Sequence, residues 1–165
     1  MKFLLLLSIF LSLNVFSGST FFTDELDEFT DEREIQLALS GDENSRFSAE
    51  IMAISCGSRG RPILGLSKGI MFSLDTRLLV TLRFEKNEPI TKMFSYNSKN
   101  SLLYTRDIVF IKEFLYDLRN SNNLIVKIKG ETGIMRFSEL NESSKHVSEF
   151  LNAAQELPQT TCNLN

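Results

Sequence analysis

Residues 77 to 129 read RLLVTLRFEKNEPITKMFSYNSKNSLLYTRDIVFIKEFLYDLRNSNNLIVKIK, and within this stretch the apolar period changes twice. First, Leu78, Val80, Leu82 and Phe84 alternate with Arg77, Leu79, Thr81 and Arg83. A period of two places one face of a strand on a core. Glu85-Lys86-Asn87-Glu88-Pro89 reads as a turn, Ile90 to Tyr96 as a second strand, and Asn97-Ser98-Lys99-Asn100 as another turn. The period then becomes 3.6, because Ile108, Ile111, Leu115 and Leu118 share one helical face with Phe114 in support. Thr105 or Asp107 can cap the start of that helix. Asn120 to Asn123 end it, and Leu124, Val126 and Ile128 return to alternation against Ile125, Lys127 and Lys129.

Working outward toward the C-terminus, Gly130-Glu131-Thr132-Gly133 connects to Ile134-Met135-Arg136-Phe137, which completes a hairpin. Ser143 or Ser144 then begins a second helix, with Val147, Phe150, Leu151 and Ala154 on its apolar face and Pro158 as its stop. Toward the N-terminus, Ile35, Leu37 and Leu39 alternate as a strand, and Gly41-Asp42-Glu43-Asn44 forms a turn. A second alternating run follows, in which Phe47, Ala49, Ile51 and Ala53 face one way and Ser48, Glu50 and Met52 the other. Gly57-Ser58-Arg59-Gly60-Arg61-Pro62 reads as a turn, and Ile63 to Leu66 and Gly69 to Leu74 as short strands of a meander. The expected class is α+β, an antiparallel, sandwich-like curved sheet with two amphipathic helices. Each helix has one apolar face, so each needs the sheet to cover it.

The chain opens with Lys2, an apolar run from Phe3 to Phe16, and small residues that suit cleavage before Gly18, with Val15 and Ser17 at the −3 and −1 positions. That order is the order of a secretory signal peptide. A helix of about 14 residues spans about 21 Å, short of a hydrocarbon core about 30 Å thick. The expectation is therefore a signal peptide over 1–17 and no membrane span after its removal. An acidic arm and first strand follow over 18–46, then a single α+β domain over 47–165 whose sheet takes in residues 34–46. Removing Lys2 leaves 17 basic residues against 21 acidic ones, a balance of −4. Such a balance excludes a strongly basic nucleic-acid binder.

Cys56 and Cys162 are the two cysteines of the chain, and an oxidising compartment makes them a disulfide pair. Chemistry is otherwise thinly provided. The single histidine, His146, lies in Ser143-Ser144-Lys145-His146 among polar residues, and the bland expectation is a surface side chain. An enzymatic alternative makes Cys56 a nucleophile with His146 as base, against which stands the ready partner Cys162. Gly-x-Ser-x-Gly, Ser-x-x-Lys and a P-loop ending are absent from the sequence, and one histidine with two cysteines gives no recognisable zinc spacing. Carboxylate pairs such as Glu85 and Glu88, or Asp24 and Glu28, are too common in turns to point to a glycosidase. No catalytic residue, cofactor or metal is expected.

Phe21 to Glu34, FFTDELDEFTDERE, carries seven carboxylates and one arginine, with Phe22, Leu26 and Phe29 as a weak helical stripe. It reads as a solvated arm or short helix. Candidate partner-binding residues are Asp24, Glu25, Asp27 and Glu28 in this arm, together with Arg59 and Arg61 in the glycine-rich turn.

From Phe47 to Leu151 the order of elements resembles the periplasmic type VI secretion-associated proteins of the VasI/TagO kind. The resemblance is carried by the strand ending in Cys56, by Leu82-Arg83-Phe84 before a proline-containing turn, and by Ser95-Tyr96-Asn97-Ser98. It continues through the Phe110 to Leu118 helix, the Leu124 to Lys129 and Met135-Arg136-Phe137 strands, and a last helix near a closing cysteine. Glu85-Lys86 and Met93-Phe94 stand where that family often has Asp-Gly and a tryptophan, and Cys162 lies beyond Pro158 rather than within the helix. The resemblance implies a periplasmic or secreted accessory factor without established catalytic residues. The expected function is thus that of an exported, non-enzymatic accessory or binding protein that meets a protein partner at the cell envelope. The alternative is an inhibitor or immunity protein that blocks an envelope hydrolase, for which a small domain closed by one disulfide is a preorganised scaffold.

Overall fold

The computed structural model describes residues 20–28, 31–42, 50–57, 60–67, 76–98, 101–130, 134–158 and 162–164. The expected leader, the first part of the second alternating run, the Gly69 to Leu74 strand and Arg59 lie outside these. The order of elements is β1 (Thr20–Asp27), β2 (Glu32–Ser40), β3 (Ile51–Gly57), β4 (Gly60–Ser67), β5 (Arg77–Phe84), β6 (Ile90–Asn97), β7 (Leu102–Thr105), α1 (Ile108–Arg119), β8 (Leu124–Ile128), β9 (Ile134–Phe137) and α2 (Ser143–Glu156). The strands form one antiparallel sheet in the order β1-β2-β3-β4-β7-β6-β5-β8-β9. The class is α+β, as the apolar periods predict.

One face of the sheet is the core. Ile35, Leu37 and Leu39 of β2, Val80, Leu82 and Phe84 of β5, and Leu124, Val126 and Ile128 of β8 are all buried, in the alternation expected of them. Against them lie Phe110, Ile111, Phe114, Leu115 and Leu118 of α1 and Val147, Phe150, Ala153 and Ala154 of α2. Asp107 is the N-cap of α1, its Oδ1 accepting from Phe110 N at 3.1 Å, which satisfies one of the orphan donors of the first turn. Lys92 of β6 holds the same helix start, 3.5 Å from Asp107 Oδ2 and 5.3 Å from the centre of the Phe110 ring.

Several expectations need correction. Residues 20 to 27 are a strand paired with β2 along its whole length, not a solvated arm or short helix. Pairing supplies the backbone partners that burial of the strand does not. In β3 the buried side is Met52, Ile54 and Cys56, while Ile51 is 41% exposed. The phase is opposite to the one expected because Met52 and Ile54 bring more apolar area to the core than Ala53 does. Gly60, Arg61 and Pro62 begin β4 rather than continue a turn; Pro62 sits where the β3–β4 register shifts, a place that tolerates a missing N–H. β7 was not expected at all, and by pairing with both β4 and β6 it replaces a simple meander.

The sheet is strongly bent. β2 and β9 are seven strand spacings apart, about 34 Å in a flat sheet at about 4.8 Å per strand. Yet Asp42 N, just past β2, donates to Arg136 O of β9 at 2.8 Å, and Ser138 N and Oγ donate to Asp42 Oδ1 at 3.1 and 2.7 Å. The sheet does not close into a barrel, because the ladder does not continue between them. Gly41 permits a close approach on the other side, to the residue before β3: it donates to Glu50 O at 2.7 Å, and a Cβ there would lie 2.8 Å from Glu50 Cβ. Gly41→Ala should therefore cost about 1–3 kcal/mol, read as a lower urea midpoint with an unchanged slope.

Candidate functional site

The disulfide fixes the far end of the chain. Cys56 and Cys162 are bonded, with 5.8 Å between their Cα atoms and 106 residues of separation, and both are buried. With its sulfur so engaged, Cys56 offers no thiolate for nucleophilic attack. His146, the other half of that alternative, has Nδ1 2.8 Å from Thr20 Oγ1 and Nε2 3.5 Å from Glu142 Oε2, so it fastens α2 to the start of β1.

The candidate acidic residues divide by face. Residues directly opposite in a sheet share a side, and the buried Ile35, Leu37 and Leu39 mark the inner one. Asp24 pairs with Ile35 and points inward, where the Arg33 guanidinium meets it through two bonds of 2.7 and 2.6 Å. Those hydrogen bonds hold its carboxyl below the usual aspartate range, against a smaller opposing effect of burial. Arg33 also donates to Glu156 at the end of α2, at 2.8 Å, and its own pKa is raised, first by Asp24 and then by Glu156. Asp24, although exposed, is thus ion-paired on the inward side of β1.

Glu25 and Asp27 face outward, opposite Glu34 and Glu32 respectively. Like charges directly opposite on one face of a sheet are destabilising. Glu34 accepts from Ser55 Oγ at 2.6 Å, and Glu28 is exposed at the end of the strand. Arg61 is exposed on β4, three strands along the sheet from β1. Sequence reasoning missed that β2 supplies half of the carboxylate patch; the signal lay in the register, which the linear charge run does not reveal. It also missed that the far half of the same face is basic. There Arg77 and Arg83 of β5, Lys127 of β8 and Arg136 of β9 are all exposed.

Two hollows also lie on the described surface. Thr76, Arg77, Ser95, Tyr96, Asn97 and Tyr104 line an open hollow of about 290 Å³, and the Arg106 guanidinium lies 6.0 Å from the Tyr104 ring centre. An open, more apolar depression beside α1 is lined by Ile90, Lys112, Glu113, Tyr116 and Asp117. Burial and then the neighbouring Glu113 raise the Asp117 pKa. No group of three or more potential metal ligands occurs among the described residues. No helix among them is long and apolar enough to cross a membrane.

Acid should loosen the β1–α2 fastening. Asp24 has a folded pKa below its ordinary value of 3.8, so the stability it contributes is complete above that value and lost as the pH falls through the lower, folded one. The pair is partly exposed and screened, so Arg33→Ala should cost about 0.5–1 kcal/mol at pH 7. The difference between wild type and variant in urea denaturation should shrink as the pH falls below 3.8.

No family model matches the chain, and neither a curated protein nor a solved structure matches it.

Proposed function

We propose that this chain is an exported, non-enzymatic accessory or binding protein that acts through protein contacts at the cell envelope. The observation that carries the reading is the outward face of the sheet, uncovered by either helix and divided between carboxylates on β1 and β2 and cations on β5, β8 and β9. Charge divided in this way orients and selects a partner more than it stabilises a fold. The buried disulfide supports the exported location, since such bonds persist in oxidising compartments. The secretion link rests on the VasI/TagO resemblance and is part of the proposal.

Site-specific photocrosslinking in the producing cell tests it, with the probe placed in turn at Thr23 and at Lys127 on the outward face. The expected result is one discrete protein adduct in the envelope or secreted fraction from at least one position. A folded, oxidised protein that forms no adduct from either position contradicts the reading. An adduct with a hydrolase whose activity falls in proportion would instead identify an inhibitor.

A further inference from the structure

The two edges of the sheet are treated differently. β9, four residues long, has its outer side met by Asp42, which donates to Arg136 O and accepts from Ser138. β1 runs for eight residues in unbroken register with β2, without proline, lysine or bulge, and no described strand pairs with its other side. A long, unbroken edge of this kind is a ready template for another strand, and proteins normally blunt it with one of those devices. The device that the described residues of β1 carry is negative charge. Carboxylates repel a second copy of the same acidic strand but attract a basic one, so they select a partner rather than close the edge.

We propose that the outer edge of β1 binds an extended segment of a partner protein by strand addition, the segment carrying basic and apolar residues in alternation. The inference rests on the protein-contact reading above and names the chemistry of the partner. On an added antiparallel strand, the residues opposite Glu25 and Asp27 lie on the outward face and are lysine or arginine, continuing a patch already crowded by Glu34 and Glu32. The residue between them lies opposite Leu26, an apolar side chain 60% exposed on the inward face, and is aliphatic. The next position faces Asp24, already held by Arg33, and is a neutral polar residue; two positions further on, an aliphatic residue meets the half-buried Phe22. Main-chain hydrogen bonds supply affinity, and this alternation supplies specificity.

The test uses the oxidised full-length protein and the capped peptide Lys-Val-Lys-Thr-Thr-Val, followed by amide chemical shifts and hydrogen exchange. The expected result is binding that protects β1 amides, weakens as salt rises from about 0.05 to 0.5 M, and is about tenfold tighter than for Glu-Val-Glu-Thr-Thr-Val. Alternate N-methylation, in whichever phase removes the amides that face β1, should abolish it. The double variant Glu25→Lys/Asp27→Lys should reverse the peptide preference while keeping its own disulfide and spectrum. N-methylated peptides that bind equally well in both phases, shifts that fall on α1 or the Arg77 hollow, no binding at millimolar peptide, or self-association of the free protein through β1 would each overturn the proposal. Its failure is separable from that of the broader reading: an envelope adduct formed only from Lys127 keeps the latter and removes the former.

Discussion

Replacing Cys56 and Cys162 together by alanine is expected to lower the unfolding free energy by about 5 kcal/mol. The bond spans 106 residues, and in the chain-entropy picture closing a loop of that length removes about 4.8 kcal/mol of unfolded-state freedom at 25 °C. Both sulfurs are buried, so the alanines also leave small voids. Net stabilities of single domains are about 5–15 kcal/mol, so the variant sits near the threshold of folding. Calorimetry should show Tm lower by about 10–20 °C, and reductant should reproduce the shift in the wild type but not in the variant. A variant as stable as the oxidised protein would mean that the tail is held by packing of Leu157 and Leu164 alone.

The second large effect concerns the helix that follows β7. Phe114 is 1% exposed, and its ring meets Phe84 of β5 edge to face, with 5.3 Å between centres and 63° between planes. Phe114→Ala removes a large side chain from a site that a sheet and two helices hold rigid, and should cost about 3–5 kcal/mol. Phe84→Ala should cost about as much alone. The double variant should fall short of the sum by about 0.5–1.5 kcal/mol, the coupling typical of an aromatic pair. Urea unfolding followed by both circular dichroism and fluorescence should give coincident transitions, because α1 has no core apart from the sheet. An additive double variant would place the two rings out of contact in solution.

What could be read from the chain follows from how unequal its alternating faces are. In β5 and β8, and in β2 from Ile35 onward, one face is aliphatic or aromatic at every position, and the structure turns that face to the core. In β3 both faces carry apolar side chains, so the phase depended on which neighbours were present, and Met52, Ile54 and Cys56 won the core. β1 was hidden because its stability comes from pairing with β2, a contact outside local periodicity; only Thr20 and the half-buried Phe22 show the inward rhythm that carboxylates interrupt. Leu102 to Thr105 are too few to declare a period, and their pairing with both β4 and β6 is a tertiary fact. The candidate site was legible only as composition. Glu25 and Asp27 belong to a surface patch while Asp24, their neighbour, is consumed by Arg33, a distinction set by the side of the strand each occupies.

Non-reducing peptide mapping of the protein recovered from its own producing cells bears most directly on an exported domain closed by one sulfur bridge. A single linked pair of peptides containing Cys56 and Cys162, with residues 1–17 missing from the recovered chain, is the expected result. Two alkylatable thiols in a chain that still carries Met1 to Ser17 would contradict it, and with it the location, the stability and the envelope partner.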